Sequence, residues 1–179
     1  LEFRRVLFRS LPDGLYAEFT TPRGVFTAEL HYRRAPLTCG AFVGFAEGTL
    51  APLAGQARYA GLRWYRVVPG FGIQSGNPLH PQDEGHPDFT FPDEFVPGLA
   101  HDGAGVLSMA NAGPDTNSCE FFVTLAPTVR LDYLHSVFGR TVRGLDVLPR
   151  IQANDAVAVT ILRRGAAAQA FRADAGAFA

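Results

Sequence analysis

The chain contains no lysine: all 16 of its basic residues are arginine. An arginine here says little by its type alone, and each must be judged by its position. There are only two cysteines, Cys39 and Cys119, far apart in the chain. That excludes a disulfide framework and a cysteine metal site, and two free thiols are expected. The net charge is −1, so nothing argues for a nucleic-acid partner or an anionic membrane surface. No apolar run approaches the ~20 residues that cross a bilayer, so membrane insertion is not expected. His31, His80, His86, His101 and His135 form neither an i, i+4 pair nor an HExxH pattern. No metal role is expected of them.

The first ten residues, Leu-Glu-Phe-Arg-Arg-Val-Leu-Phe-Arg-Ser, are apolar and basic, but Arg5 and Arg9 interrupt the apolar run of a signal peptide. Residues 1–10 read as a non-native N-terminal segment. The compartment is then expected to be cytoplasm or periplasm, for a soluble chain. One domain is expected in 179 residues, over residues 11–164, with 165–179 as an Ala-rich tail, a loose helix or a linker.

What is present is apolar and aromatic. Hydrophobic residues make up 47% of the chain, and Phe occurs 15 times against 5 Tyr and 1 Trp. Such a composition builds a substantial core or a Phe-lined pocket. Residues 15–21 and 25–32 alternate around Pro22-Arg23-Gly24, which predicts a hairpin. Residues 36–47 carry Leu37, Ala41, Phe42, Phe45 and Ala46 at helical spacing. Pro36 opens that stretch and Gly48 closes it, which predicts an amphipathic helix in which Gly40 and Gly44 are blemishes. Residues 62–75 read as two strands broken at Pro69-Gly70. Residues 76–105 read as a long ordered surface loop anchored by Phe89, Phe91 and Phe95. Strands recur at 106–110, 120–125, 136–143 and 156–163, with a short second helix over 145–152. Many short strands and two helices predict a mainly β fold: a closed antiparallel barrel whose open ends the helices cap.

Residues 105–122 are the most informative stretch. Two apolar runs, Val106–Ala110 and Phe121–Leu125, flank a loop of Asn, Gly, Pro, Asp, Thr and Ser too polar and turn-rich for a core. A scaffold that presents a shaped polar loop beside Met109 and Phe122 is what a binding site needs.

Four segments carry a family resemblance. Arg66-Val-Val-Pro-Gly-Phe-Gly-Ile-Gln, Gly105-Val-Leu-Ser-Met-Ala-Asn-Ala-Gly-Pro, Glu120-Phe-Phe and Leu131-Asp-Tyr-Leu-His-Ser-Val-Phe-Gly-Arg resemble, in order and spacing, the cyclophilin-type peptidyl-prolyl cis-trans isomerases, with bacterial single-domain members as the expected likeness. The resemblance runs from about Tyr16 to about Leu162. It implies an eight-stranded antiparallel barrel with two capping helices, an isomerase acting on proline-containing polypeptides during folding, no cofactor, and a monomer. It implies that Arg66 is the catalytic arginine and that Gln74 orients it. Phe71, Met109, Phe122 and Leu131 match the pocket for the proline ring. Ala110 and Asn111 match the segment that holds the substrate backbone, and His135 the pocket rim.

The chain also departs from the family pattern. Glu120 stands where Gln is usual, and a carboxylate there is expected to pair with Arg66 and restrain it. Arg130 replaces a Trp of cyclosporin-binding members, so weak cyclosporin binding is expected. Gly72 replaces a bulkier residue, Tyr65 a His and Ser75 a Gly. The alternative to an active isomerase is a proline-peptide binding module of the same fold with weak or no turnover. A barrel holding a small apolar ligand is a more distant reading.

Overall fold

The computed structural model describes residues 10–50, 59, 61–77 and 89–173. Among the described residues, nine strands form one antiparallel sheet. They are β1 (Gly14–Thr21), β2 (Gly24–Leu30), β3 (Leu62–Arg63), β4 (Arg66–Val68), β5 (Gly72–Ser75), β6 (Val106–Met109), β7 (Phe121–Thr124), β8 (Val137–Arg143) and β9 (Ala156–Arg164). Their order is β3-β9-β1-β2-β8-β6-β7-β5-β4. The predicted hairpin is β1–β2, with Leu15 opposite Leu30 and Thr21 opposite Gly24.

The sheet corrects the expectation of a closed eight-stranded barrel. Among the described residues it is a curled half-barrel of nine strands, and no ladder joins its edges, β3 and β4. The edges are nevertheless consecutive in the chain, separated only by Trp64 and Tyr65. Trp64 is fully buried in the hydrophobic core.

Helix α1 (Pro36–Glu47) has its predicted bounds, with Pro at its start and Gly48 in the left-handed conformation at its end. It is not amphipathic, because every residue from Thr38 to Phe45 is buried. Gly44 is closely packed: an added Cβ would stand 2.7 Å from Leu50 Cδ2, so the Leu50 side chain would have to shift. The second predicted helix is a 3-10 stretch, Leu145–Arg150, with Pro149 inside it. Proline has no N–H to donate and six residues are too few to propagate an α-helix. The tail contributes a five-residue helix, α2 (Ala166–Ala170).

The core is aromatic. Phe121 is its hub, with ring centroids at 5.8 Å from Phe19, 5.3 Å from Phe42, 5.4 Å from Tyr59 and 5.9 Å from Trp64. Cys39 and Cys119 are both buried and not bonded to each other. In the long predicted loop, the described residues 89–105 are ordered. Phe91 bridges Asn117, and Asp93 and Asp115 exchange hydrogen bonds, Asp93 N–H to Asp115 at 2.8 Å and Asp115 N–H to Asp93 at 3.0 Å. Residues 78–88, with His80 and His86, and almost all of 1–10 lie outside the described residues. No described helix is long and apolar enough to cross a membrane.

Candidate active site

Sheet register builds the site. Side chains alternate between faces along a strand, and directly paired residues share a face. Arg66 pairs Gln74, Gln74 pairs Phe122, and Phe122 pairs Ser108, so β4, β5, β7 and β6 set these four in one row. The next row, Val67–Ile73–Val123–Leu107, belongs to the hydrophobic core. A register irregularity between Leu107 and Ser108 on the β6–β8 pairing lies beside the site row, a common device for re-aiming side chains at a site.

A cleft of about 540 Å³ opens over the site row. Of the predicted site residues, Arg66, Phe71, Gln74, Ala110, Asn111, Glu120, Phe122, Leu131 and His135 all line it. Met109 does not: it is fully buried and pairs with Phe121, on the core side of the sheet. Its part is indirect, since its carbonyl accepts a hydrogen bond from His135 Nδ1 at 2.9 Å. Its four-residue strand is buried throughout, so no polar–apolar alternation marks which face each residue takes.

The apolar floor is held from behind. Phe122 meets His135 edge-on at 5.5 Å and is stacked on His101 at 5.8 Å. His101 is fully buried. Its Nδ1 lies 2.7 Å from Asp132 and its Nε2 lies 2.9 Å from the Ser108 hydroxyl. This Asp–His–Ser sequence resembles a hydrolytic triad in connectivity. It cannot act as one, because Ser108 is itself fully buried. Burial pushes the His101 imidazole below its ordinary value, although Asp132 opposes the shift. None of these three was singled out from the sequence for a site role; their spacing in the chain gives no motif.

The polar loop is one wall, and it is braced. Asn111 Nδ2 donates to the Leu134 carbonyl at 2.8 Å, Thr116 Oγ1 accepts from Ala112 N–H at 2.9 Å, and Asn117 Nδ2 donates to Asp93 at 2.8 Å. Asn111 thereby ties the wall to the rim segment that carries Leu131 and His135.

Arg66 is exposed. Its guanidinium lies 5.9 Å from the Phe71 ring, and that of Arg130 lies 5.2 Å from the same ring. Arg66 Nη1 donates to Gln74 Oε1 at 3.3 Å, and Gln74 Nε2 donates to the Tyr65 hydroxyl at 3.1 Å. The Tyr65 hydroxyl donates to Glu120 Oε1 at 2.6 Å. The expected Glu120–Arg66 pair is therefore not formed: Glu120 takes the nearer phenol, and Tyr65 and Gln74 intervene. Tyr65 was visible in the sequence as a departure from the family pattern, but nothing there showed it reaching Glu120, 55 residues on. Burial, reinforced by the bond to Glu120, pushes its phenol far above its ordinary value. It stays a protonated donor at any working pH.

The row can offer a fixed cationic donor beside an apolar hollow. Known proteins resemble the chain in sequence and in fold. The family model described as cyclophilin type peptidyl-prolyl cis-trans isomerase/CLD matches residues 16–165. The chain is 44% identical over 135 residues to peptidyl-prolyl cis-trans isomerase-like 1 of Aspergillus fumigatus, covering 74% of this chain and 79% of that protein. It is 41% identical over 142 residues to the Homo sapiens protein of the same name, covering 78% and 80%. These relatives are eukaryotic, so they do not bear out a specifically bacterial likeness. Among solved structures, a cyclophilin type peptidyl-prolyl cis-trans isomerase of Cryptosporidium parvum superposes with TM-score 0.69 at 24% identity, covering 84% of this chain and 98% of that one. The same protein has been solved in the presence of the dipeptide Ala-Pro.

Proposed function

The chain belongs to the cyclophilin-type peptidyl-prolyl cis-trans isomerase family, and on that premise we propose that it turns over X–Pro bonds in polypeptides, with Arg66 as its catalytic group. The X–Pro amide resists rotation because resonance sets a barrier of ~18–20 kcal/mol. At the top of that barrier the amide is twisted and its nitrogen lone pair is localised. Only then is the nitrogen a hydrogen-bond acceptor. A donor held against it stabilises the transition state and neither ground state. Arginine suits the task because it stays charged and presents several donors in one plane. No proton is transferred and no covalent bond forms.

The apolar hollow of Phe71, Phe122 and Leu131 is the proposed seat of the proline ring, and the Ala110–Asn111 segment the holder of the flanking chain. One side of the bond is then fixed while the other rotates. The observation that carries this reading is the register row: it holds Arg66 and Phe122 on one face, with Gln74 between them. The rival reading, a binder with weak or no turnover, drew on Glu120 restraining Arg66 and on the altered rim at Gly72. The bond from Tyr65 to Glu120 removes the first of these grounds and supports the catalytic reading.

In a protease-coupled assay on an X–Pro peptide, Arg66→Ala is expected to lower kcat/KM by about 10²–10³-fold, as the loss of one transition-state donor does elsewhere. A fall of less than about threefold, no more than one ordinary hydrogen bond is worth, would point to another catalytic group.

A further inference from the structure

Four polar groups stand in line across the cleft: Glu120, Tyr65, Gln74 and Arg66, joined at 2.6, 3.1 and 3.3 Å. The two ends have fixed polarity. A carboxylate only accepts, and a guanidinium only donates. The two middle groups are ambivalent: a phenol donates or accepts, and a glutamine presents either its oxygen or its amine. Only one ordering makes all three bonds. Arg66 donates to the Gln74 oxygen, the Gln74 amine donates to the Tyr65 oxygen, and Tyr65 donates to Glu120. Turning the Gln74 amide over would set its amine against the guanidinium, donor against donor.

We propose that Tyr65 and Glu120 are positioning residues for catalysis: the buried carboxylate sets the direction of every bond in the relay and so keeps the Gln74 carbonyl, not its amine, against Arg66. Glu120 is only 6% exposed, so bulk water does not replace it as the terminal acceptor, and the other acceptor near the Tyr65 hydroxyl, the Ser75 carbonyl, stands at 3.4 Å against 2.6 Å for Glu120. The backbone fixes where that carboxylate sits. Gly76 has φ +116°, and a Cβ there would stand 2.8 Å from Glu120 Cα; the turn after β5 and the start of β7 fit only without a side chain. The relay leaves the Nη2 and Nε donors of Arg66 for the substrate amide, while the Phe71 ring stands beside the guanidinium. The proposal rests on the reading of Arg66 as the catalytic group.

A neutral amide at position 120 would break the logic without changing the shape. Its amine can donate to the Tyr65 oxygen, Tyr65 then donates to Gln74, and Gln74 turns its own amine toward Arg66. Two opposed relay directions would coexist. Tyr65→Phe cuts the relay at its centre and keeps the ring.

The test compares wild type, Tyr65→Phe, Glu120→Gln and the double variant, by X–Pro exchange kinetics and by the side-chain amide resonances of Gln74. Each single variant is expected to lose about 3–10-fold in kcat, near the worth of one oriented hydrogen bond, with KM within about twofold of wild type. The double variant should be no slower than the slower single, because both cut one relay. The Gln74 amide signals should shift in both singles. An unchanged kcat in both singles, a faster Glu120→Gln, or unmoved Gln74 signals in Tyr65→Phe would overturn the proposal. Loss of the underlying functional reading looks different: wild type itself would not catalyse exchange, while the Gln74 signals would still report the relay.

Discussion

Phe121 and Phe122 are adjacent in the chain and lie on opposite faces of the sheet. Phe121 touches four core rings, and Phe122 lines the cleft. Truncating a buried Phe to Ala costs about 3–5 kcal/mol, against a total stability of about 5–15 kcal/mol for a domain. Phe121→Ala is therefore expected to lower the urea midpoint sharply, and a midpoint within error of wild type would contradict the hub role. At the same scale, His101 makes stability depend on pH. Its unfolded reference lies near 6.5 and its folded value is lower, because the ring is buried. As pH falls below the unfolded value, the unfolded chain takes up the proton first, so stability is full above that value and declines below it. His31 shifts the same way by burial. Thermal midpoints should fall from pH 7.5 to 5.5, and an NMR titration should place His101 below 6.5; a rising midpoint would contradict the sign.

Among the elements, α1 shows how distant segments are bound together. Ala35 provides no side-chain cap for it. Glu94, from the long loop, does so instead: its carboxylate accepts from Leu37 N–H at 3.1 Å, Thr38 N–H at 2.7 Å and Thr38 Oγ1 at 2.7 Å. A negative group there also meets the positive end of the helix dipole. Glu94→Ala is expected to cost about 1–2 kcal/mol, a thermal midpoint about 2–8 °C lower. Calorimetry showing no change would mean the loop and helix are not coupled. The sequence showed the bounds of α1, through Pro36 and Gly48, because those punctuation residues act locally. It did not show the Glu94 cap, which spans 57 residues. It overstated the 145–152 helix, since Pro149 takes the donor from an already short segment.

For the whole molecule, strand alternation and order made a mainly β fold legible; the family resemblance supplied ten site residues, and nine of them line the cleft. Closure of the sheet was not legible, because it depends on whether β3 and β4 pair, and two strands of two and three residues carry too little pattern to say. Met109 was misplaced for a related reason: only register, not local pattern, separates it from Ser108. Tyr65 was visible only as an oddity of composition at a family position. Its meaning came from strand order, which sets β5 between β4 and β7. At the rim, Arg130 lies over Phe71.

The most direct measurement is NMR exchange spectroscopy on an X–Pro peptide with a small fraction of protein added. Wild type should produce cis–trans exchange cross-peaks. Arg66→Ala should abolish them while the peptide still shifts the resonances of Phe122 and His135. Cross-peaks that persist at wild-type intensity in Arg66→Ala, or that never arise with wild type, would contradict the assignment of catalysis to Arg66.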